Sequence, residues 1–261
     1  MLRKVFGIPS WLPDKEPDRS QRKERINRLF KQLNDLWPNI DILVVAQNWQ
    51  DFKPIKTKNK QIIKTYEPLG ILKARQTLRE EFLKLDYDYI IMFDDDAIIE
   101  FIDNTPKQYM NEIEKHPHGF CFMPGNNSKY HPYCGAQLNL CAISRFIYEQ
   151  EPMVPVDPQK DEGYEDSIFA CLLYHKYRQY EFKPPVGIKC IQFQNIKEKV
   201  PSTWAEDKQI NFALISANTN LIQDYIVTHH SFPQHFKDFI RKPYKPPEKV
   251  ADGKKDCYLY F

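Results

Sequence analysis

Glycine is scarce in this chain. The 261 residues hold 8 glycines against 20 prolines, a balance that gives stiff loops and excludes long Gly/Ser linkers. One domain, or one domain with a short appendage, is the expected organisation. Cys-x-x-Cys spacing is missing from the 6 cysteines, which removes zinc ribbons and dithiol redox motifs from consideration. Several of them lie instead in apolar runs, where cysteine behaves as a small buried hydrophobe, and this fits a reducing cytoplasm. No apolar run reaches the ~18 residues that a membrane span needs, and the first residues lack a secretory-signal pattern. The expectation is a soluble, cytoplasmic monomer with no membrane association. Net charge is only +2, so a polyanionic partner would have to be held by local patches. No internal repeats or low-complexity tracts are present, which rules out a solenoid.

Against that background one stretch organises the rest: Tyr89-Ile90-Ile91-Met92-Phe93-Asp94-Asp95-Asp96. Its apolar run reads as a buried strand. The strand ends in three consecutive carboxylates, which repel one another unless a cation or positive side chains compensate them. Open α/β sheets place ligands at the carboxyl ends of their strands. Hard oxygen ligands in that position suit a divalent cation or a nucleotide-sugar site. An acidic turn without ligand is the plain alternative.

Strands and helices alternate around this stretch. Val5-Phe6-Gly7-Ile8 reads as a first strand that breaks into a rigid loop at Pro9-Ser10-Trp11-Leu12-Pro13. A helix from about Ser20 follows, with Ile26, Leu29, Phe30, Leu33 and Leu36 on one face. Its other face carries Arg22, Lys23, Arg25, Arg28 and Lys31, and is either solvated or turned towards an anion. Asp41 to Ala46 reads as a second strand ending in polar Gln47-Asn48. The segment Lys53 to Lys64 then holds five lysines (Lys53, Lys56, Lys58, Lys60, Lys64) and no acid. It is a solubilising tip or a contact for a phosphate backbone. A helix over Ile71–Leu85 carries Lys73 and Arg75 in its first turn, against the helix dipole, so an anion is expected nearby. Thr105-Pro106-Lys107-Gln108 has the form of a capping box with proline at the first helical position. Further strands are expected over Gly119–Met123, Gln137–Ile143 and Gly187–Phe193. Ser144 should cap a short helix, and a helix over Ile168–Tyr177 follows Glu165-Asp166. A second capping box stands at Thr203, helical stretches run on to His229, and the tail from Pro233 reads as an extended arm.

The order of these pieces resembles the GT-A glycosyltransferases, in particular family-two-like inverting enzymes that use nucleotide-diphosphate sugars. Gly70-Ile71-Leu72-Lys73-Ala74-Arg75, Asp94-Asp95-Asp96 and Glu165-Asp166 at a helix start carry the resemblance, over about residues 3–195. It implies a Rossmann-like mixed sheet flanked by helices, with a catalytic domain over 1–232 and a C-terminal arm over 233–261. It implies that Pro9, Ser10, Gln47 and Asn48 hold the nucleobase of a UDP-sugar donor. Arg75 would face the ribose or diphosphate, with Asp94 and Asp95 also at the donor. Asp94 and Asp96 would bind Mn²⁺ or Mg²⁺, which would neutralise the leaving diphosphate. Asp166 would be the general base on the acceptor hydroxyl, with Glu165 in reserve. The late histidine that many relatives use as a third metal ligand has only weak counterparts in His229 and His230.

Further stretches resemble the phage DNA glucosyltransferases that add a second glucose to glucosylated hydroxymethylcytosine. They are Ile8-Pro9-Ser10-Trp11-Leu12-Pro13, Asp35-Leu36-Trp37-Pro38-Asn39, Val45-Ala46-Gln47-Asn48-Trp49, Asp86-Tyr87-Asp88-Tyr89 and Ala142-Ile143-Ser144-Arg145. The resemblance implies transfer of glucose, or of a pentose, to sugar-modified 5-hydroxymethylcytosine in double-stranded DNA, in the host cytoplasm during infection. Lys53, Lys56, Lys58 and Lys60 would then contact phosphates, which position a duplex without reading its sequence. The basic first helix would do the same. The alternative is a cytoplasmic GT-A enzyme that extends a cell-surface or capsular glycan.

Overall fold

In the computed structural model the chain runs β1 (Lys4–Trp11), α1 (Asp18–Leu36), β2 (Asp41–Gln47), β3 (Gln61–Tyr66), α2 (Ile71–Leu83), β4 (Tyr89–Met92) and β5 (Ala97–Phe101). It continues through α3 (Pro106–Glu114), β6 (Phe120–Pro124), β7 (Ala136–Ser144), α4 (Arg145–Gln150) and β8 (Ile188–Gln192). The structure describes residues 1–49, 55–101, 106–124, 136–151, 169, 173, 176–182 and 187–192. Six strands form one sheet in the order β3-β2-β1-β4-β7-β6. The first four are parallel, and β7 runs antiparallel to both β4 and β6. β5 and β8 pair antiparallel as a small second sheet. The mixed, helix-flanked α/β architecture expected from the sequence is present.

The parallel strands are buried on both faces, which is why they read as continuous apolar runs. Phe6, Ile8, Ile42, Val44, Ile91 and Ala142 pack on one face with Leu29 and Phe30 of α1 and Tyr109 and Ile113 of α3. Their neighbours in sequence, Val5, Leu43, Val45, Ile90, Met92 and Ile143, pack on the other with Leu78 and Phe82 of α2 and Ile147 and Tyr148 of α4. Phe169 and Leu173, both helical, join that second layer.

Three expectations change. Pro9, Ser10 and Trp11 belong to β1 and pair with Val45, Ala46 and Gln47. The Gly7 carbonyl accepts the Phe93 N–H at 3.0 Å, so every second residue of β1, Pro9 included, faces the β4 side. Pairing with β4 stops at Gly7↔Met92, and the missing proline N–H falls where no strand needs it. Gln61 to Lys64, read as part of a basic loop, begins edge strand β3. Lysine is a usual guard of an exposed edge. β5 had no sequence signal of its own, because four apolar residues around Glu100 do not define a period. Ser144 does cap α4, accepting the Ile147 N–H. Thr105, Thr203 and the 233–261 arm lie outside the described residues.

Much of the second set of sequence stretches stitches the amino edge of the sheet. Arg3 pairs with Asp86, and its N–H donates to Asp88 at 2.7 Å. The Tyr89 hydroxyl donates to the Gly119 carbonyl at 2.9 Å. Arg145 donates to the Tyr87 carbonyl at 2.8 Å and to the last carbonyls of α2 at Phe82 and Leu83, with its guanidinium 5.1 Å from the Phe82 ring centroid. It is a C-terminal cap supplied from another element.

Candidate functional site

β4 delivers its aspartates to the carboxyl edge of the sheet. Phe93 keeps its tie to β1, Asp94 follows, and a turn at Asp95-Asp96 closes with the Ala97 N–H on the Asp94 carbonyl at 3.1 Å. The tight turn sends the three carboxylates apart. Asp94 Oδ1 accepts from Arg75 at 3.0 Å, and Oδ2 accepts from the Asn139 amide at 2.9 Å. The Asp95 carboxylate is buried, accepting from the Ser10 hydroxyl at 2.6 Å and Arg22 at 2.5 Å. Burial pushes its carboxyl up despite Arg22 and Ser10.

Asp96 is different. It is 8% exposed, and its Oδ1 is buried with no hydrogen-bond partner. Burial, then the charges of Asp95 and Asp94, push its carboxyl up to about 7 against the opposing pull of Arg22 and Arg25. A buried acceptor left unsatisfied costs ~1–3 kcal/mol. A carboxylate oxygen has the chemistry of a ligand for a hard cation. Among the described residues no group of three or more His, Cys, Asp or Glu side chains converges as a ready cage. A cation there would need donors from substrate or water as well.

The arginines of α1 answer the question left open by its basic face. Arg22 pairs with Asp95, Arg28 donates to the Asp96 carbonyl at 3.3 Å, and Arg25 is buried. The anion they face is this chain's own acidic turn. The solvent side of the helix is Ser20, Glu24, Asn27, Lys31 and Asp35. That mixed face is not the phosphate-binding surface expected of a basic helix. The anion expected beside the first turn of α2 is Asp94, partner of Arg75.

The other expected site residues fall into two groups. Pro9, Ser10, Gln47 and Asn48 do gather at the carboxyl edge. Ser10 is buried and also accepts from the Trp49 indole N–H at 3.1 Å. Gln47 is buried and accepts the Leu69 N–H at 2.8 Å. Asn48, in the left-handed region at φ 59, donates to the Leu12 carbonyl at 2.9 Å and to Asp14 at 2.5 Å. Their side chains shape loops around the site. Lys56, Lys58 and Lys60 are exposed at the opposite, amino edge: Lys60 precedes β3, its carbonyl accepts from Ile42 at 2.8 Å, and the Lys58 N–H donates to Asn34 near the end of α1. Lys53, Glu165, Asp166, His229 and His230 lie outside the described residues.

Two residues at this edge escaped the sequence reading. Trp11 ends β1 and is 45% exposed, unusual for a large apolar side chain. Its rigid-loop reading hid it. Asn139, buried on β7, contacts Asp94. The alternation over Gln137–Ile143 reads as a half-exposed strand with Asn139 on its polar face, whereas Asn139 is 1% exposed, and the partner it meets depends on strand register.

No protein-family model matches the chain, and no curated protein matches it significantly. Solved structures do. Residues 1–349 of S. aureus TarS, crystallised with UDP-GlcNAc, match with a TM-score of 0.45 at 11% identity, over 92% of this chain and 70% of that one. Rv0371c of Mycobacterium tuberculosis, crystallised with manganese, matches with a TM-score of 0.38 at 8% identity, over 70% of this chain and 88% of that one.

Proposed function

We propose that this chain is a metal-dependent, inverting glycosyltransferase taking a sugar from a UDP-sugar to a sugar-modified 5-hydroxymethylcytosine in double-stranded DNA. The observation that carries the donor half is the buried, unpartnered Asp96 oxygen in an acidic turn flanked by Arg22 and Arg75. Anionic oxygen beside guanidinium is what a cation–diphosphate pair requires on its two sides. Asp96, with Asp94, would hold Mn²⁺ or Mg²⁺, and the bound metal would stabilise charge on the departing diphosphate. Arg75 would orient the diphosphate, and Trp11 would offer its ring to the nucleobase. Gln47 and Asn48 shape the loops beside that ring. Asp166 would take the acceptor proton.

The acceptor half rests on the sequence resemblance. A second reading, transfer to a cell-surface or capsular glycan, is favoured by one observation: Lys56, Lys58 and Lys60 lie at the amino edge, away from the acidic turn. The deciding experiment is incubation with a panel of UDP-sugars, Mn²⁺ and glucosylated or unglucosylated hydroxymethylcytosine DNA, followed by mass spectrometry of the digested nucleosides. A sugar-sized mass gain on the modified cytosine is expected. UDP release with glycan acceptors but none with DNA would establish the second reading. Asp166→Asn should lower turnover by ~10²–10⁴-fold while leaving UDP-sugar affinity near wild type. Normal turnover by that variant would remove Asp166 as the base.

A further inference from the structure

Asn139 stands in an unusual stretch of β7. From Ser144 back to Cys141 that strand pairs regularly with Tyr89 to Met92 of β4. Leu140 then adopts the left-handed region at φ 56, and the register with β6 shifts between Cys121 and Met123. A branched residue with positive φ persists only where its surroundings hold it. Here the Tyr109 hydroxyl donates to the Leu140 carbonyl at 2.9 Å, and the Leu140 side chain is fully buried. Irregularities of this kind re-aim a side chain, and the one re-aimed is Asn139.

Its amide meets Asp94 twice. The Asp94 backbone N–H donates to Asn139 Oδ1 at 2.6 Å, and Asn139 Nδ2 donates to Asp94 Oδ2 at 2.9 Å. One partner can only donate and the other, as a carboxylate, only accepts, so the amide orientation is dictated by chemistry. Asparagine alone fits: aspartate offers no donor, leucine offers neither group, and glutamine is a methylene too long. With Oδ2 held, Asp94 presents Oδ1 to Arg75, whose side chain is 6% exposed.

We infer that Asn139 is a positioning residue of the donor site, holding Asp94 and, through it, Arg75 in the geometry that receives the metal and diphosphate. The inference rests on the nucleotide-sugar reading above. Groups that orient a metal ligand from behind typically change metal affinity or activity ~10–100-fold when removed.

The test is a double-mutant cycle on binding of Mn²⁺ with the UDP-sugar that gives the tightest wild-type calorimetric titration. Asn139→Ala should weaken that binding at least ~10-fold in the wild-type background and have no further effect in Asp94→Ala, because it acts through Asp94. Asn139→Leu keeps most of the side-chain volume and adds no charge beside Asp94, so it supplies a folded variant if the alanine form does not fold. Its affinity should fall as far, since leucine offers neither the donor nor the acceptor that holds Asp94. Equal losses in both backgrounds, following the melting temperature, would reduce Asn139 to a packing role and overturn the inference alone. No UDP-sugar binding by wild type would overturn the nucleotide-sugar reading and this inference with it.

Discussion

Asp96 takes a carboxylate into surroundings that offer one of its oxygens no donor. Its folded value of about 7 stands above the ordinary 3.8, so folding takes up a proton between those values. Stability of the metal-free protein therefore falls as pH rises through that window and levels off above it. Asp96→Asn removes the penalty. In chelator the variant should melt a few degrees above wild type at pH 8, at ~2–4 °C per kcal/mol, and level with it near pH 4. Mn²⁺ should raise the melting temperature of wild type and leave the variant unmoved. Scanning fluorimetry at both pH values, with and without metal, checks this, and identical pH profiles for the two proteins would refute it. Trp11 gives a complementary case. Because its side chain is nearly half exposed, Trp11→Ala should lower the melting temperature much less than truncating a core aromatic would. If it stacks on the base, ~1–3 kcal/mol of binding should vanish from UDP titrations. Unchanged UDP affinity would place the base elsewhere.

At the scale of elements, the same helix can look basic and yet present little positive charge to solvent. α1 leaves the carboxyl edge and returns to the amino edge, so its first turns pass the acidic turn, where Arg22 meets the Asp95 carboxylate and Arg28 the Asp96 carbonyl. β6 shows a second constraint that only packing creates. A Cβ on Gly119 would lie 2.5 Å from the Tyr180 carbonyl oxygen and 2.9 Å from His116 Cβ. The backbone there cannot slide freely, because the Gly119 N–H donates to His116 and its carbonyl accepts from Ser144. On Gly7 the same atom would meet side-chain atoms only, Ile90 Cδ1 at 2.5 Å, Ile90 Cγ1 at 2.8 Å and Leu78 Cδ2 at 3.1 Å, which can shift where backbone cannot. Overpacking costs ~1–3 kcal/mol. Gly119→Ala should sit at the top of that range and Gly7→Ala near the bottom, as read by urea unfolding. The reverse order would show that the β1–β4 core yields less than the β6 entry.

At the scale of the whole molecule, the sheet separates two charged regions. The acidic turn is at the carboxyl edge and the lysines are at the amino edge, roughly 20 Å apart for a seven-residue strand at ~3.3 Å per residue. If the lysines hold duplex, replacing Lys56, Lys58 and Lys60 with Ser should lower the salt slope of binding to long DNA by up to ~0.9 for each phosphate no longer neutralised. Turnover on a modified duplex too short to span the sheet should stay at the wild-type level. A salt slope unaltered by the triple change would place the duplex elsewhere. The α/β class, the buried strands and the acidic strand end were legible from residues alone, because hydrophobic period and its abrupt end are local properties of the chain. The sequence by itself also determined that Arg75 needs an anion nearby, since a cation in a first helical turn opposes the dipole. It did not identify Asp94 as that anion, Asn139 as the clamp behind Asp94, or the edge on which the lysines fall. Those outcomes depend on strand register and on the direction of each crossover, which pair residues tens of positions apart, and only the assembled sheet decided them.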